Sequence, residues 1–280
     1  MAKPIIAFQG ERGAFSEEAA YQLLGRGIRV LACESFADAF RSAATGKATH
    51  CLVPIENTLA GSVYENYDLL LKNHLHIVGE VNLRVVHNLI AFPETTRRNL
   101  RQVYSHPVAL AQCARFFSRH PRLERVPFYD TAGSVKMLAE RRLPGAAAIA
   151  SRVAADAYGA RVLLAHLEDH PQNFTRFLLL SRAAATSKTA NKVSIVFSTR
   201  NVPGALFKCL SVFALRDLDL SKMESRPLRG RPWEYFFYLD FMGNLRQAAV
   251  RNALSHLREV THFLRVLGCY PSAPRSKSRW

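Results

Sequence analysis

The sequence has few cysteines, and their spacing excludes two kinds of small scaffold. The five cysteines, at positions 33, 51, 113, 209 and 269, lie far apart and form no Cys-x-x-Cys pair. A disulfide framework or a structural zinc site needs closely spaced cysteines or a Cys/His cluster. His74 and His76 are the nearest candidate ligand pair, but their alternating segment is typical of a polar strand face. We therefore expect no metal site and no disulfide framework.

Long apolar runs are also missing. No stretch approaches the roughly 18 apolar residues that a membrane-spanning helix needs. The short start before Ile5-Ile6-Ala7-Phe8 is unlike a signal peptide. We expect a cytoplasmic protein with no membrane partner, or a plastid protein if a transit peptide was removed.

Acidic residues are scarce: 22 stand against 38 basic residues, which gives a formal net charge of +16. Such an excess of basic residues is typical of nucleic-acid-binding proteins. In those proteins, however, the basic residues cluster in one surface stripe or alternate with aromatic residues. Here the arginines are spread over most of the chain. We expect no nucleic-acid partner, because a positive field also steers a small polyanionic substrate toward an enzyme.

The first 182 residues of the 280-residue chain alternate between apolar strands and helices. This pattern predicts α/β architecture, with a link near residue 80 that divides it into two lobes, about 1–80 plus 170–182 and 81–169. Ligands bind in such folds at the carboxyl ends of strands and between lobes. We predict strands at 5–9, 29–31, 50–55, 76–81, 85–92, 100–103, 146–150 and 178–180, and helices from 17 and at 36–44, 64–72, 108–118, 135–140 and 152–158.

Serine precedes four of these helices, and serine is a preferred helix N-cap. Ser16, Ser35, Ser105 and Ser151 are therefore predicted to cap the helices that follow them. The loop 10–16, between a strand and a helix start, is either an anion-binding turn or an ordinary tight turn. It lacks the third spaced glycine of a dinucleotide fingerprint, so no nicotinamide cofactor is predicted.

A small, polar, aperiodic stretch at 183–191 is predicted to be a linker. Beyond it, 192–272 follows the order βαββαβ, which is the ferredoxin-like arrangement. We predict strands at 192–199, 219–225, 235–241 and 262–267, and helices at 203–216 and 245–259. Residues 273–280 form a basic tail.

Eight short motifs occur in one order along the chain. They are Phe8-Gln9-Gly10 with Gly13-Ala14-Phe15-Ser16; Pro54-Ile55-Glu56-Asn57-Thr58 with Gly61-Ser62-Val63; Ser105-His106-Pro107 with Ala109-Leu110-Ala111-Gln112-Cys113; Asp130-Thr131-Ala132-Gly133; Ala148-Ile149-Ala150-Ser151; Asn173 with Thr175-Arg176-Phe177; Gly204-Ala205-Leu206-Phe207; and Glu224-Ser225-Arg226-Pro227. With these motifs the chain resembles the prephenate dehydratase family, including its arogenate dehydratase branch, over about 4–272. Thr58 departs from the family's usual serine but keeps the hydroxyl.

The resemblance implies a two-lobed catalytic region with a periplasmic-binding-protein-like cleft at 1–182, followed by a regulatory ACT domain at 192–272. It implies conversion of prephenate to phenylpyruvate with loss of water and carbon dioxide and no cofactor, or of arogenate to phenylalanine. It also implies a homodimer or homotetramer joined through ACT domains and inhibited by phenylalanine. A catalytically silent amino-acid sensor is the alternative from another class.

The resemblance carries catalytic roles onto three residues. Thr175 is expected to donate a hydrogen bond to the departing ring hydroxyl. Arg176 is either a clamp for the pyruvyl carboxylate or a structural brace, because holding the carboxylate that leaves would oppose decarboxylation. Phe177 follows them in the same motif and is also expected to be catalytic, although packing is the simpler role for its ring.

Further residues are expected to bind the substrate, and helix capping is the alternative role for each hydroxyl or amide. Glu56 could donate a proton if buried. The full substrate-binding set is Gly13, Ala14, Phe15, Ser16, Glu56, Asn57, Thr58, Ser62, Ser105, Thr131, Ala132 and Asn173. The phenylalanine site implied by the resemblance is Asn201, Gly204, Ala205, Leu206, Glu224 and Ser225, with plain packing of a small domain as the alternative.

Overall fold

The structure, a computed structural model, describes residues 3–184, 187–228, 230 and 233–274. Residues 185–186 of the predicted linker and 275–280 of the predicted basic tail lie outside these described residues. The chain divides into two compact units. The first takes the described residues of Met1–Leu69 and Val81–Leu178, and the second those of Leu70–Glu80 and Leu179–Trp280.

The secondary structure alternates along the first unit and then changes to the shorter βαββαβ order. The strands are β1 (Ile5–Gln9), β2 (Arg29–Cys33), β3 (His50–Asn57), β4 (Gly61–Ser62), β5 (His76–Arg84), β6 (Asn88–Ala91), β7 (Gln102–Ser105), β8 (Glu124–Pro127), β9 (Ala146–Ala150), β10 (Arg161–Leu164), β11 (Phe174–Ser181), β12 (Lys192–Ser198), β13 (Leu220–Pro227), β14 (Tyr235–Met242) and β15 (Phe263–Tyr270). The helices are α1 (Phe15–Leu24), α2 (Phe36–Thr45), α3 (Tyr64–Lys72), α4 (Pro107–Ala111), α5 (Ala114–Ser118), α6 (Thr131–Arg141), α7 (Arg152–Tyr158), α8 (Ala205–Ala214) and α9 (Ala248–Val260).

One sheet of the first unit has β1 between β2 and β3, parallel to both. Ile6 pairs with Val30 on one side and His50 on the other, and it is fully buried. Strand β11 lies next to β3. The backbone N–H of Thr58, just past β3, donates to the carbonyl of Phe174 at 2.9 Å. The end of β3 and the start of β11 therefore lie side by side.

The other sheet of the first unit has the order β10-β6-β9-β7-β8. Its central strand β9 is buried along its whole length. Because side chains alternate across a strand, Ala148 and Ala150 face one way and Ala147 and Ile149 the other. The first pair packs in a cluster with α6 and α7, and the second in a cluster with α4 and α5. Helices thus cover both faces, as expected of a lobe in a two-lobed α/β fold.

The second unit contains the predicted βαββαβ arrangement. Its strands have the antiparallel order β13-β14-β12-β15. Val193, Ile195 and Phe197 alternate along β12 and are fully buried in one cluster with residues of α8 and α9. The ammonium of Lys192, at the start of β12, lies 2.9 Å from the Glu80 carboxylate, and both side chains are buried.

Two of the four predicted serine caps are confirmed. Ser35 accepts from the N–H of Asp38, and Ser151 accepts from the N–H of Ala154. Ser16 is not a cap: Ala14 is the N-cap of α1, and Ser16 lies inside the helix. Ala14 has extended backbone angles, and the helix begins one residue later, at Phe15.

Ser105 is also not a cap. It ends β7, and its hydroxyl donates to the carbonyl of Ile149 at 2.6 Å in the buried sheet. The cap of α4 is His106, whose Nδ1 accepts from the N–H of Val108. A serine in a strand can bond across to a neighbouring strand, and that contact is invisible in local sequence.

Two helix boundaries also differ from the predictions. The helix predicted at 108–118 is divided into α4 and α5, because the Asp169 carboxylate accepts from the N–H groups of Ala114 and Arg115 and so caps a new helix start. The helix predicted from 135 begins at Thr131, since Asp130 accepts from the N–H of Gly133 and acts as its N-cap. Glu56 and Asn57, expected in a loop, belong to β3.

None of the described helices has the length and apolar character needed to cross a membrane. Among the described residues, no group of three or more His, Cys, Asp or Glu side chains is placed to hold a metal ion.

Candidate active site

A cavity of about 270 Å³ lies inside the first unit, where polar strand ends and helix starts meet. Seven of the predicted catalytic or substrate-binding residues line it. They come from the α1 start, the β3 end, the α6 start and β11, which are distant in sequence. The seven are Ala14, Phe15, Ser16, Asn57, Thr131, Thr175 and Phe177.

Strand β11 divides the three predicted catalytic residues between two faces. Thr175 and Phe177 line the cavity, and Arg176 between them does not. This follows from the two-residue period of a strand, which turns adjacent side chains in opposite directions. Phe177 is only 2% exposed and forms part of the apolar wall.

Arg176 is paired with Glu56. Its guanidinium Nη1 lies 3.3 Å from Glu56 Oε1, and the arginine side chain is 9% exposed. This pairing joins β11 to β3. The contact and the strand alternation both favour the brace over the clamp.

Asn57 is the hub of the hydrogen bonds that reach Thr175. Its Oδ1 accepts from the backbone N–H groups of Leu59 and Ala60 at 2.9 and 2.8 Å. Backbone N–H groups can only donate, so the orientation of the Asn57 amide is fixed. Its Nδ2 therefore donates, and three acceptors lie within reach: Asn173 Oδ1 at 2.8 Å, Thr175 Oγ1 at 2.9 Å and the Phe174 carbonyl at 3.1 Å.

The same logic fixes the next amides in turn. Because Asn173 accepts through Oδ1, its Nδ2 donates to Gln112 Oε1 at 2.9 Å. His87 Nε2 lies 2.9 Å from the same Gln112 oxygen, so His87 donates through Nε2. Two backbone N–H groups thus determine the orientation of three amides and one imidazole.

The surroundings of His87 disfavour its charged form. Burial lowers the pKa of its imidazole below the usual value, although the hydrogen bond to Gln112 acts in the opposite direction. Its Nδ1 is buried and has no hydrogen-bond partner among the described residues. The ring packs edge-on against Phe15, which also lines the cavity.

The start of α1 forms another wall of the cavity. Ala14, Phe15 and Ser16 line it, and the helix directs its positive dipole end there. Gly13 does not line it. Its N–H donates to Glu17 Oε2 at 2.7 Å and its carbonyl accepts from Ser151 Oγ at 2.6 Å, so both backbone groups are used within the protein.

The start of α6 forms the facing wall. Thr131 lines the cavity with the cap residue Asp130, whereas the side chain of Ala132 is fully buried in the core. Burial raises the pKa of the Asp130 carboxyl, and hydrogen bonds from Gly133 and Ala132 N–H groups partly counter this.

Four other predicted substrate-binding residues do not line the cavity. Asn173 is fully buried in the amide chain. Thr58 Oγ1 donates to the carbonyl of Gln172 and accepts from the N–H of Phe174, which ties the β3 end to the β11 start. Ser62 lies in β4, whose residues pair with Glu56 and Asn57. Ser105 is buried in the sheet.

Sequence reasoning missed several residues that line the cavity. They are polar and titratable side chains from separate parts of the chain. All except His87 stand within the eight motifs, and that place was the signal that could have found them. The missed polar residues are Gln9, His87, His106, Gln112 and Asp130.

The predicted phenylalanine-site residues lie in the second unit. Gly204 is the N-cap of α8 in a left-handed conformation, and Ala205 and Leu206 form the first turn. Asn201 is exposed on the preceding loop, and Glu224 and Ser225 are on β13. A cavity of about 350 Å³ next to α8 is lined by Ala205 but not by the other five.

The cavity lies between strand ends and is lined by oriented hydrogen-bond donors and by two helix starts. These features define a small-molecule enzyme of the two-lobed α/β class. Comparison with known proteins is specific. The prephenate dehydratase family profile matches residues 6–185. "Arogenate dehydratase/prephenate dehydratase 2, chloroplastic" from Arabidopsis thaliana is 44% identical over 277 residues, which cover 95% of this chain and 72% of the relative.

Two solved structures are similar over nearly the whole chain. A prephenate dehydratase from Arthrobacter aurescens, in complex with L-Phe, is 32% identical with a TM-score of 0.87, covering 95% of this chain and 89% of that one. A protein described as "GqqA- a novel type of quorum quenching acylases" is 34% identical with a TM-score of 0.89, covering 96% and 98%. The chain belongs to the prephenate dehydratase family, a family of carbon–oxygen lyases.

Proposed function

We propose that this protein converts prephenate to phenylpyruvate, with loss of water and carbon dioxide, as a step in phenylalanine biosynthesis. The observation that carries the proposal is the state of the Thr175 hydroxyl. Its oxygen accepts from Asn57 Nδ2, which can only donate, so the hydroxyl proton is left for a group in the cavity.

The chemistry needs such a donor. Breaking the bond between the ring and its carboxylate releases carbon dioxide and leaves an electron pair in the ring. That pair displaces the ring hydroxyl at the opposite carbon, and aromaticity results. The departing oxygen gains negative charge and leaves as hydroxide, which takes a proton from solvent to become water, so a hydrogen bond at this oxygen stabilises the transition state. Thr175 orients and donates; its hydroxyl is too weak an acid to lose its proton outright.

Helix starts suit the substrate's side-chain carboxylate, which keeps its charge through the reaction. The first turns of α1 and α6 both line the cavity, and helix N-termini favour anions through unpaired N–H groups and the helix dipole. Arg176 lies outside the lining and is paired with Glu56. A fixed cation against the ring carboxylate would hold back the charge that must flow out of it.

Arogenate is the alternative substrate, and phenylalanine would then be the direct product. It differs from prephenate only in carrying an ammonium in place of the side-chain keto group. The name of the Arabidopsis relative includes both activities. Parallel measurement of kcat/KM on both substrates tests the proposal: turnover of neither would overturn it and leave the catalytically silent sensor.

We also propose that phenylalanine regulates the protein through the second unit. The L-Phe complex of the Arthrobacter relative supports this, as does the α8 start, where Gly204 is the N-cap and the helix dipole favours an amino-acid carboxylate. The proposed site also includes Asn201, Glu224 and Ser225. Titration calorimetry with L-phenylalanine tests it, and absence of binding heat together with unchanged activity would refute it.

A homodimer or homotetramer through the second units is proposed as the assembly. Strand β13 ends the sheet order of this unit, and an edge strand offers unpaired backbone groups to another chain. Sedimentation velocity with and without phenylalanine tests this proposal, and a monomer at micromolar concentration would contradict it.

The proposed location is the cytoplasm, with the plastid as the alternative that the Arabidopsis relative's name suggests.

The relative described as an acylase calls for a parallel assay. An acylase hydrolyses an amide bond between an acyl group and an amine, which leaves an acid and a free amine. Incubating the protein with an N-acylated amine and measuring the released amine separates this activity from dehydration. We expect phenylpyruvate or phenylalanine formation to exceed amine release.

A further inference from the structure

We propose that Asp130 binds the ammonium group that distinguishes arogenate from prephenate, so that this carboxylate sets the preference of the cavity between the two substrates. The inference rests on the proposed function and deepens it, because the two substrates share every other charged group. Three observations support it: the position of Asp130 in the cavity wall, its lack of a cationic partner, and the helix that it caps.

Asp130 is the one carboxylate in the cavity lining that the structure describes. The same lining contains no lysine or arginine. Its other side chains are hydroxyls, amides, imidazoles and apolar groups. An ammonium group that enters this cavity therefore has a single acidic side chain to meet.

The Asp130 carboxylate has no cation of its own. Among the described residues no lysine, arginine or histidine forms an ion pair with it, and Lys136, further along α6, pairs with Glu11 at 3.1 Å. Burial raises the pKa of the Asp130 carboxyl, and the nearby charge of Glu11 acts in the same direction. A shielded carboxylate without a cation is costly, and a bound ammonium would favour its charged form.

The carboxylate is positioned before a ligand arrives. Its Oδ1 accepts from the N–H of Gly133 at 2.7 Å and so caps α6. Its Oδ2 lies toward Gly10, where an added Cβ would be 3.1 Å from it. A carboxylate offers about four lone pairs on its two oxygens, so it can accept from a ligand and keep the cap.

The start of α6 suits the two opposite charges of an amino acid. In arogenate the side-chain carboxylate and the ammonium are attached to the same carbon. The helix dipole favours the carboxylate at the first turn, where Thr131 lines the cavity, and Asp130 beside it meets the ammonium. Prephenate carries a keto oxygen in place of the ammonium, so an acceptor would face an acceptor. Asp130 therefore favours arogenate.

Asp130→Asn separates this role from that of a helix cap. Asparagine is also a preferred N-cap, so it keeps the bond from Gly133 while removing the charge. The proposal predicts that kcat/KM for arogenate falls about 10- to 100-fold, the range for losing a hydrogen bond to a charged group. The loss should lie mainly in KM, because the ammonium keeps its charge through the reaction. For prephenate, kcat/KM should stay near wild type or rise.

Asp156→Asn is the matched control, because Asp156 is exposed on α7 and the substitution makes the same charge change. It should keep the wild-type ratio of kcat/KM for arogenate to kcat/KM for prephenate. Asp130→Ser covers the case in which Asp130→Asn fails to fold, since serine is also a good N-cap and carries no carboxylate. A purely structural Asp130 predicts equal losses on both substrates and an unchanged ratio, and that result overturns the proposal.

The wild-type protein gives a result that depends on no variant. The proposal predicts a lower KM for arogenate than for prephenate. Turnover of prephenate without a lower KM for arogenate would overturn the role of Asp130 and leave the proposed function intact. Turnover of neither substrate would instead refute the proposed function itself.

Discussion

Asn57 donates through Nδ2 to Thr175 Oγ1 across 2.9 Å, and the direction of this bond is fixed by two backbone N–H groups on the other end of the Asn57 amide. A hydroxyl that must accept from the protein has its proton left for a ligand. We therefore propose that Asn57, predicted as a substrate donor, positions Thr175, and that Thr175 is the group that meets the substrate.

Asn57→Asp should lower kcat strongly. The introduced carboxylate lacks the Nδ2 donor, so the Thr175 hydroxyl donates to that carboxylate and turns away from the cavity. Loss of one oriented donor in a transition state typically costs about 10²- to 10³-fold in rate. The measurement is kcat at saturating substrate, with circular dichroism to establish that the variant is folded. A folded variant with the wild-type kcat would show that the direction of this bond is unimportant.

Arg176→Met should destabilise the protein and leave KM near the wild-type value. It leaves Glu56 without its guanidinium partner on a wall that is partly shielded from water. Losing a hydrogen bond to a charged group costs about 1.5–3 kcal/mol, to be read as a change in the free energy of unfolding in urea. Glu56→Gln is the companion variant and should lose less, because a neutral amide still accepts from the guanidinium. A raised KM with normal stability would instead support the clamp.

Gly13→Ala should be strongly destabilising, because an added Cβ would lie 2.4 Å from the Cα of Ala154 and the residue has φ +87°. Overpacking costs about 1–3 kcal/mol, and the left-handed backbone adds about 1–2 kcal/mol. Gly159→Ala is the matched control: Gly159 also has a positive φ, of +65°, but a Cβ there would meet nothing within 4 Å. Equal losses of unfolding free energy in the two variants would show that the contact with Ala154 relaxes at no cost.

The buried His87 predicts that stability falls on the acid side. Its folded-state pKa is lowered by burial, while in the unfolded chain it has the ordinary value of about 6.5. As the pH falls below about 6.5, the unfolded state binds a proton that the folded state does not, so the free energy of unfolding decreases until the folded pKa is reached.

The control for this pH effect is His87→Gln, which should flatten the decrease. The pKa of His50 is also lowered by burial, so a residual slope is expected from it. Urea denaturation from pH 5 to 8 measures both proteins. Identical slopes would show that His87 is protonated equally in the folded and unfolded states.

The parts of the fold that depend on local sequence could be predicted. Ser35 and Ser151 precede helices that their side chains cap, and β12 alternates in a way that requires one buried face. The strand predicted at 178–180 is part of β11, but it was predicted too short to show that Thr175 and Arg176 turn to opposite sides.

The rest depended on long-range partners. Asn57 meets residues 116 to 118 positions away, and Asn173 meets Gln112 across 61 positions. Ser105 has the spacing of a cap, but a neighbouring strand supplies a carbonyl for it. The anion-binding alternative for the loop near Gly13 also depended on such partners. Glu17 accepts from the Gly13 N–H and Ser151 donates to the Gly13 carbonyl, so neither group is left for an anion.

The central claim is that the Thr175 hydroxyl donates to the oxygen that leaves, and a pair of substitutions tests it most directly. Thr175→Ser keeps the hydroxyl on a smaller side chain, whereas Thr175→Val keeps the shape and loses the hydroxyl. With prephenate, and with arogenate in parallel, kcat should stay near wild type in Thr175→Ser and fall about 10²- to 10³-fold in Thr175→Val. A folded Thr175→Val protein with the wild-type kcat would contradict the account.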